Sequence, residues 1–162
     1  MESEEKIRVF LSDFDFQVNQ VGGIFKTLER RESAFGKQPV SSEMVESTGY
    51  WLHNLYCAFE DLFKLVAGFW ENSISDNGGF HINLLKRMRT EVKGIRPPLI
   101  SQETFTHLSE LRGFRHVFRH AYAYGLDDER VAFLLKRVTK WKEVVFNDLS
   151  RFRKTISMSV PQ

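Results

Sequence analysis

One cysteine, four prolines and no long apolar run set the first limits on this 162-residue chain. The lone Cys57 excludes an internal disulfide and suits a reducing compartment. No stretch reaches the roughly 18 uncharged apolar residues that span a bilayer, so no membrane contact is expected. The basic n-region of a secretory signal is also missing, since Glu2-Ser3-Glu4-Glu5 opens the chain with acid. A cytoplasmic location is therefore expected. The alternation of apolar and polar residues that marks half-buried strands is absent, as are internal repeats and low-complexity tracts. What remains is 42% hydrophobic, with 15 Phe, three Trp and four Tyr, enough for one aromatic-rich core. A single domain over 1–162 is expected.

Net charge is only +2, yet it is unevenly spread. Residues 1–80 hold 7 Lys/Arg against 13 Asp/Glu, and residues 81–162 hold 16 against 8. An anionic partner would meet the second half, unless the helices simply carry solvated charge of different sign.

Helical periodicity runs from end to end. Ile7, Phe10, Leu11, Phe14, Val18, Val21, Phe25 and Leu28 recur at three- and four-residue steps, predicting a long first helix with Ser3 as its cap. Gly22-Gly23 inside it would weaken it or admit another backbone closely. After a connector from Gly36 to Ser41, a second long helix carries Val45, Leu52, Leu55, Tyr56, Phe59, Leu62, Phe63, Val66 and Phe69. Asp76-Asn77-Gly78-Gly79 reads as a turn. A short third helix through Leu84, Leu85 and Met88 is expected to stop near Gly94, before Arg96-Pro97-Pro98. Ser101 caps a fourth helix that Gly125 ends, and Asp127 caps a fifth bearing Val131, Leu134, Leu135, Val138, Trp141, Val145, Leu149 and Phe152. The tail from Ser157 is expected to fray. The fold expected is all-α, an up-and-down bundle of about five helices.

The unusual segment runs from Leu111 to Tyr124 and packs three arginines, two histidines and two tyrosines into the end of the fourth helix. Leu108, Leu111, Arg115, Phe118 and Tyr122 share one helical stripe. An arginine in such a stripe needs an anion, because a buried unpaired guanidinium is costly. His120 lies about 140° round an ideal helix from Arg115, so the two cannot converge on one phosphate within one regular helix. Either the helix distorts before His120, or two copies pair and each supplies part of the site.

Here the chain resembles the HEPN superfamily, and more closely its HepT-type toxins. The family motif of Arg, a polar residue, three more, His, one residue and Tyr reads Arg115-His116-Val117-Phe118-Arg119-His120-Ala121-Tyr122. His116 stands where Asn or Asp is commoner, and a Gly-Phe pair precedes the motif. The resemblance covers most of the chain. It implies a homodimer with both motifs in a shared cleft, metal-independent RNA cleavage and a minimal nucleotidyltransferase antitoxin. It further implies AMP transfer from that antitoxin to the motif tyrosine, Tyr122 here.

The residue chemistry agrees with that reading. Attack of a ribose 2′-hydroxyl on its phosphate needs a base, an acid and a cation. His120 can be the base or acid near neutral pH. Arg115 can grip the phosphate in a bidentate fork. His116 is either a second acid/base or an orienting partner. Arg112 and Arg119 extend an RNA-binding patch or are simply solvated. No clustered carboxylates exist to hold magnesium, so no metal or cofactor is expected. The i,i+4 pair His116 and His120 has zinc-ligand spacing but no obvious third ligand. His53, His81 and His107 read as ordinary helix residues, and Asp13 and Asp15 as an exposed face. The competing function is a catalytically silent helical module that binds RNA or a nucleotide through the same basic cleft. A third possibility is a partner subunit whose motif only joins helices.

Overall fold

A computed structural model describes residues 3–37, 39–71, 80–122 and 125–161, in five helices with no strand among those residues. They are α1 (Ser3–Phe35), α2 (Ser42–Trp70), α3 (Phe80–Met88), α4 (Gln102–His120) and α5 (Asp128–Ser157). The all-α bundle expected from periodicity is the fold. The turn expected at 76–79 lies outside the described residues.

Local chemistry sets the boundaries. Ser41 caps α2, its hydroxyl accepting from Met44 N at 3.2 Å. Asp127 caps α5 by accepting from Glu129 N and Arg130 N, and Asp128 and Glu129 add negative charge where the helix dipole is positive. α1 runs unbroken through Gly22-Gly23, where the Phe146 ring of α5 lies against Gly22.

α2 is the central helix and packs on all four others, whereas among the described residues α1 packs on α2 and α5. Its apolar stripe is fully buried at Leu52, Leu55, Phe59, Leu62, Phe63 and Val66. Aromatic rings knit the layers. Phe10 of α1 meets Phe69 and Trp70 of α2 with centroids 4.7 and 4.6 Å apart. Phe25 meets Phe59, Trp141 and Phe146 edge-on. Each such pair adds about 0.5–1.5 kcal/mol beyond the area it buries.

Three expectations need correction. The third helix stops at Met88, not near Gly94. Residues 92–96 instead form a tight turn in which Val92 and Arg96 exchange backbone hydrogen bonds, both 3.0 Å. The tail does not fray at Ser157: Val160 is buried, and Arg8 Nη2 donates to Pro161 O at 2.9 Å. Asp15 is not merely a solvated face residue, because Arg153 of α5 donates to it at 2.8 and 3.0 Å. Among the described residues no helix is long and apolar enough to cross a membrane.

Candidate active site

The helix that carries the motif is fastened at both ends. Ser101 Oγ accepts from Thr104 N at its start, and the buried Asp148 of α5 holds that cap from below. Asp148 accepts from Ser101 N at 2.8 Å, Ser101 Oγ at 2.7 Å and Thr104 Oγ1 at 2.6 Å. Burial pushes its carboxyl up, but the bonds from Thr104, Ser101 and Arg151 outweigh burial and hold it below the usual carboxylate range. At the other end Ala121 caps α4 and Gly125 takes a positive φ of 73°, where a side chain would be strained. The chain then turns so that Leu126 packs onto α2 at Gly49. A Cβ there would lie 2.5 Å from Leu126 Cδ1, so only glycine lets the α4–α5 connection come this close without displacing that side chain.

This fastening fixes how α4 is rotated. Thr104, Leu108, Leu111 and Phe114 are its buried residues, so Phe114 occupies the core position next to Arg115. Arg115 sits at the edge of the stripe, with its side chain 19% exposed, facing Glu60 of α2. α4 remains helical through His120, and the distortion that could bring His120 round to Arg115 does not occur. Within one chain the 140° offset therefore stands. His116 and His120 lie together on the exposed side, their rings 4.5 Å apart. Arg119 is exposed, while Arg112 is half-buried, its Nε lacking a hydrogen-bond partner among the described residues. The helix that would carry Tyr122 in line with Arg115 has already ended, and Tyr122 stands in the turn beyond it, 89% exposed.

Facing Arg115 is a row on α2 made of His53, read above as an ordinary helix residue, Tyr56, read as core, the lone Cys57, and Glu60, which no pattern had singled out. Their spacing of i, i+3, i+4 and i+7 puts them on one face, and polar groups at that spacing in an apolar helix were the available signal. The His53 ring stacks on Phe118 of α4 at 4.8 Å, and its Nε2 lies 3.6 Å from Cys57 Sγ. Burial, then the positive charges of Arg115 and Arg119, lower the His53 pKa and keep the imidazole neutral. Burial pushes the Cys57 thiol up, so it is a poor nucleophile. Tyr56 is fully buried, and burial followed by the nearby Glu60 raises its pKa far above the ordinary value. The row therefore offers one negative charge, from Glu60, in an otherwise neutral wall.

His107, read as an ordinary helix residue, stacks on Trp141 at 5.3 Å, and Trp141 is core as expected. Among the described residues, no group of three or more His, Cys, Asp or Glu side chains is placed to hold a metal ion.

The arrangement supplies a guanidinium on one side of a helix and two neighbouring imidazoles on another. Such a set suits phosphate binding and proton transfer if the two sides can act together. In comparison with known proteins, residues 47–156 match the family model described as HepT-like protein. That span runs from the first turns of α2 almost to the end of α5 and includes the whole motif. No curated protein and no solved structure matches the chain.

Proposed function

This chain belongs to the HepT-like proteins of the HEPN superfamily, and we propose that it is the ribonuclease toxin of a toxin–antitoxin pair. The observation that carries the proposal is the motif on an unbroken α4, with exposed His116 and His120 beside a half-buried Arg115. Because Arg115 and His120 diverge in one chain, the acting unit is a symmetric homodimer in which α4 of each copy faces the other. The guanidinium of one copy and the imidazoles of its partner then share a phosphate.

In the reaction, one imidazole removes the proton of the ribose 2′-hydroxyl as its oxygen attacks phosphorus. The bond to the 5′-oxygen breaks, and an acid returns a proton to that leaving oxygen. Arg115 stabilises the charge that builds on the phosphate. His120 fills one proton-transfer role and His116 the other, while Arg112 and Arg119 extend the contact to flanking phosphates.

The test is cleavage of tRNA or mRNA by the purified protein in EDTA, alongside a 2′-deoxy version of the same strand. Cleavage of the RNA alone is expected, with light scattering returning about twice the 19.0 kDa of one chain. Loss of cleavage in EDTA, or cutting of the deoxy strand, would overturn the mechanism. The silent-module reading draws on one observation, the contact between Arg115 and Glu60, which could serve to join α2 to α4. An RNA that binds and is never cut would favour it.

The partner proposed is a nucleotidyltransferase antitoxin that adds AMP to Tyr122. Exposure of 89% leaves this side chain open to an enzyme. Added adenylyl groups bring phosphate charge to the motif, where they compete with RNA for the arginines. Incubation with the cognate transferase and ATP should raise the intact mass of the wild type by adenylyl units and leave Tyr122→Phe unchanged. Equal labelling of both, or labelled protein that still cuts RNA, would reject Tyr122 as the switch.

A further inference from the structure

We infer that Glu60 is a positioning residue for Arg115, holding the guanidinium from the buried side of the α2–α4 seam so that its outer edge meets the RNA phosphate. The inference rests on the ribonuclease reading above. It begins from a misplaced charge. Glu60 lies between Phe59 and Asp61 in the most buried part of α2 and is itself 4% exposed. A carboxylate there carries a large desolvation penalty, which hydrophobic replacements of the same volume would avoid.

The geometry of its contact differs from that of the other arginine–carboxylate pairs among the described residues. Arg96 with Glu71, Arg137 with Glu110 and Arg153 with Asp15 all close to 2.8–2.9 Å, the range of charge-assisted hydrogen bonds. Glu60 Oε1 stops 3.6 Å from Arg115 Nε, and that buried Nε–H has no hydrogen-bond partner among the described residues. A pair that merely glued two helices would be expected to close as the others do. This one attracts the guanidinium from the buried side, across a longer gap than a hydrogen bond.

The surrounding charge explains what the attraction does. Arg112, Arg115 and Arg119 lie along one stretch of α4 and repel one another. The Glu60 carboxylate beneath Arg115 holds it in the seam against that repulsion, yet leaves the cluster net positive for an anion. Tyr56, one turn before Glu60 on the same helix, is fully buried, so this part of α2 lies away from the surface. An incoming phosphate therefore meets an arginine restrained from behind.

The test uses Glu60→Gln, which keeps shape and removes charge, and Glu60→Asp, which keeps charge and withdraws it by one methylene. Three measurements are made on the full chain: kcat and KM for RNA cleavage, binding of a 2′-deoxy oligonucleotide by fluorescence anisotropy, and the 15N signal of Arg115 Nε–H. Glu60→Gln should lower kcat by about 10- to 100-fold, the scale on which small misplacements act. It should weaken oligonucleotide binding and shift the Arg115 Nε signal, with Glu60→Asp intermediate. In an Arg115→Gln background, Glu60→Gln should cost nothing further in cleavage or binding. A folded Glu60→Gln protein that binds and cleaves as wild type overturns the inference, as does a loss fully additive with Arg115→Gln. If Glu60→Gln does not fold, an unchanged Arg115 signal and unchanged binding in Glu60→Asp overturn it instead. A wild type that binds the oligonucleotide through Arg115 but cuts no RNA removes the nuclease reading and leaves the binding comparison to decide Glu60. A wild type that binds no oligonucleotide overturns both.

Discussion

Replacing His120 by alanine is expected to lower RNA cleavage by about 100- to 10,000-fold, the usual loss when a general acid or base is removed. The loss should come without unfolding. His120 is exposed at the last position of α4, and substitutions at such sites change stability by only about 0.5 kcal/mol. Far-ultraviolet circular dichroism and the thermal midpoint should therefore match wild type. Undiminished cleavage by the variant would move the active site elsewhere.

The same variant tests the dimer through its geometry. If the Arg115 and His120 that serve one phosphate come from different copies, inactive Arg115→Gln and inactive His120→Ala chains complement each other when mixed. Random exchange makes half the dimers mixed, and each mixed dimer regains one of two composite sites, so about a quarter of wild-type activity should return. If both groups acted from one chain, the mixture would stay inactive. No change in either chain's fold is needed for this result, which separates the two-copy site from a helix that bends on binding RNA.

The parts of the fold that could be read from sequence are those decided within a few residues. Ser101 and Asp127 cap the helices as expected because their side chains satisfy amides two or three positions ahead. The stripes of α2 and α5 are buried because their spacing matches the helical repeat. The rotation of α4 was less legible. Phe114 and Arg115 are neighbours, and a hydrophobic stripe wide enough to include either does not say which faces the core. The choice is made by Gly49 on another helix, which lets Leu126, Phe114 and Phe118 approach α2 closely. The acidic side of the site was hidden for a related reason. Glu60 looks like any surface glutamate until α4 is laid across it, and its partner lies 55 positions away in the chain. The motif itself was legible because its chemistry is unusual for a helix, whereas the wall that tunes it is made of common residues.

Arg96 was legible only as the residue before two prolines, yet its replacement by alanine should have the largest effect on stability. Its side chain is fully buried and spends its donors on both sides. Nε and Nη2 bond the Glu71 carboxylate at the end of α2, the first at 2.9 Å. Nη1 donates to Thr90 O at 3.1 Å and Pro97 O at 3.2 Å, and Nη2 to Arg87 O at 3.1 Å. It thus closes the turn around Gly94 and satisfies carbonyls at the C-terminus of α3, explaining why that helix stops at Met88 rather than running on. Truncation leaves three carbonyls without this donor and a nearly buried carboxylate held, among the described residues, by Arg87. Breaking a buried pair in this way costs about 3–5 kcal/mol. Against a typical total of about 5–15 kcal/mol, that is a large share of the stability of the whole chain. The thermal midpoint should fall by roughly 6–20 °C for a chain of this size. Arg96→Lys should recover only part of the loss, because an ammonium keeps the charge but cannot fork between a carboxylate and three carbonyls. Replacing Glu71 as well should cost less than the sum of the two single changes, since each alone strands the other. A midpoint within two degrees of wild type for Arg96→Ala, a change equivalent to about 1 kcal/mol or less, would show that the turn and the end of α3 are held by something other than this guanidinium.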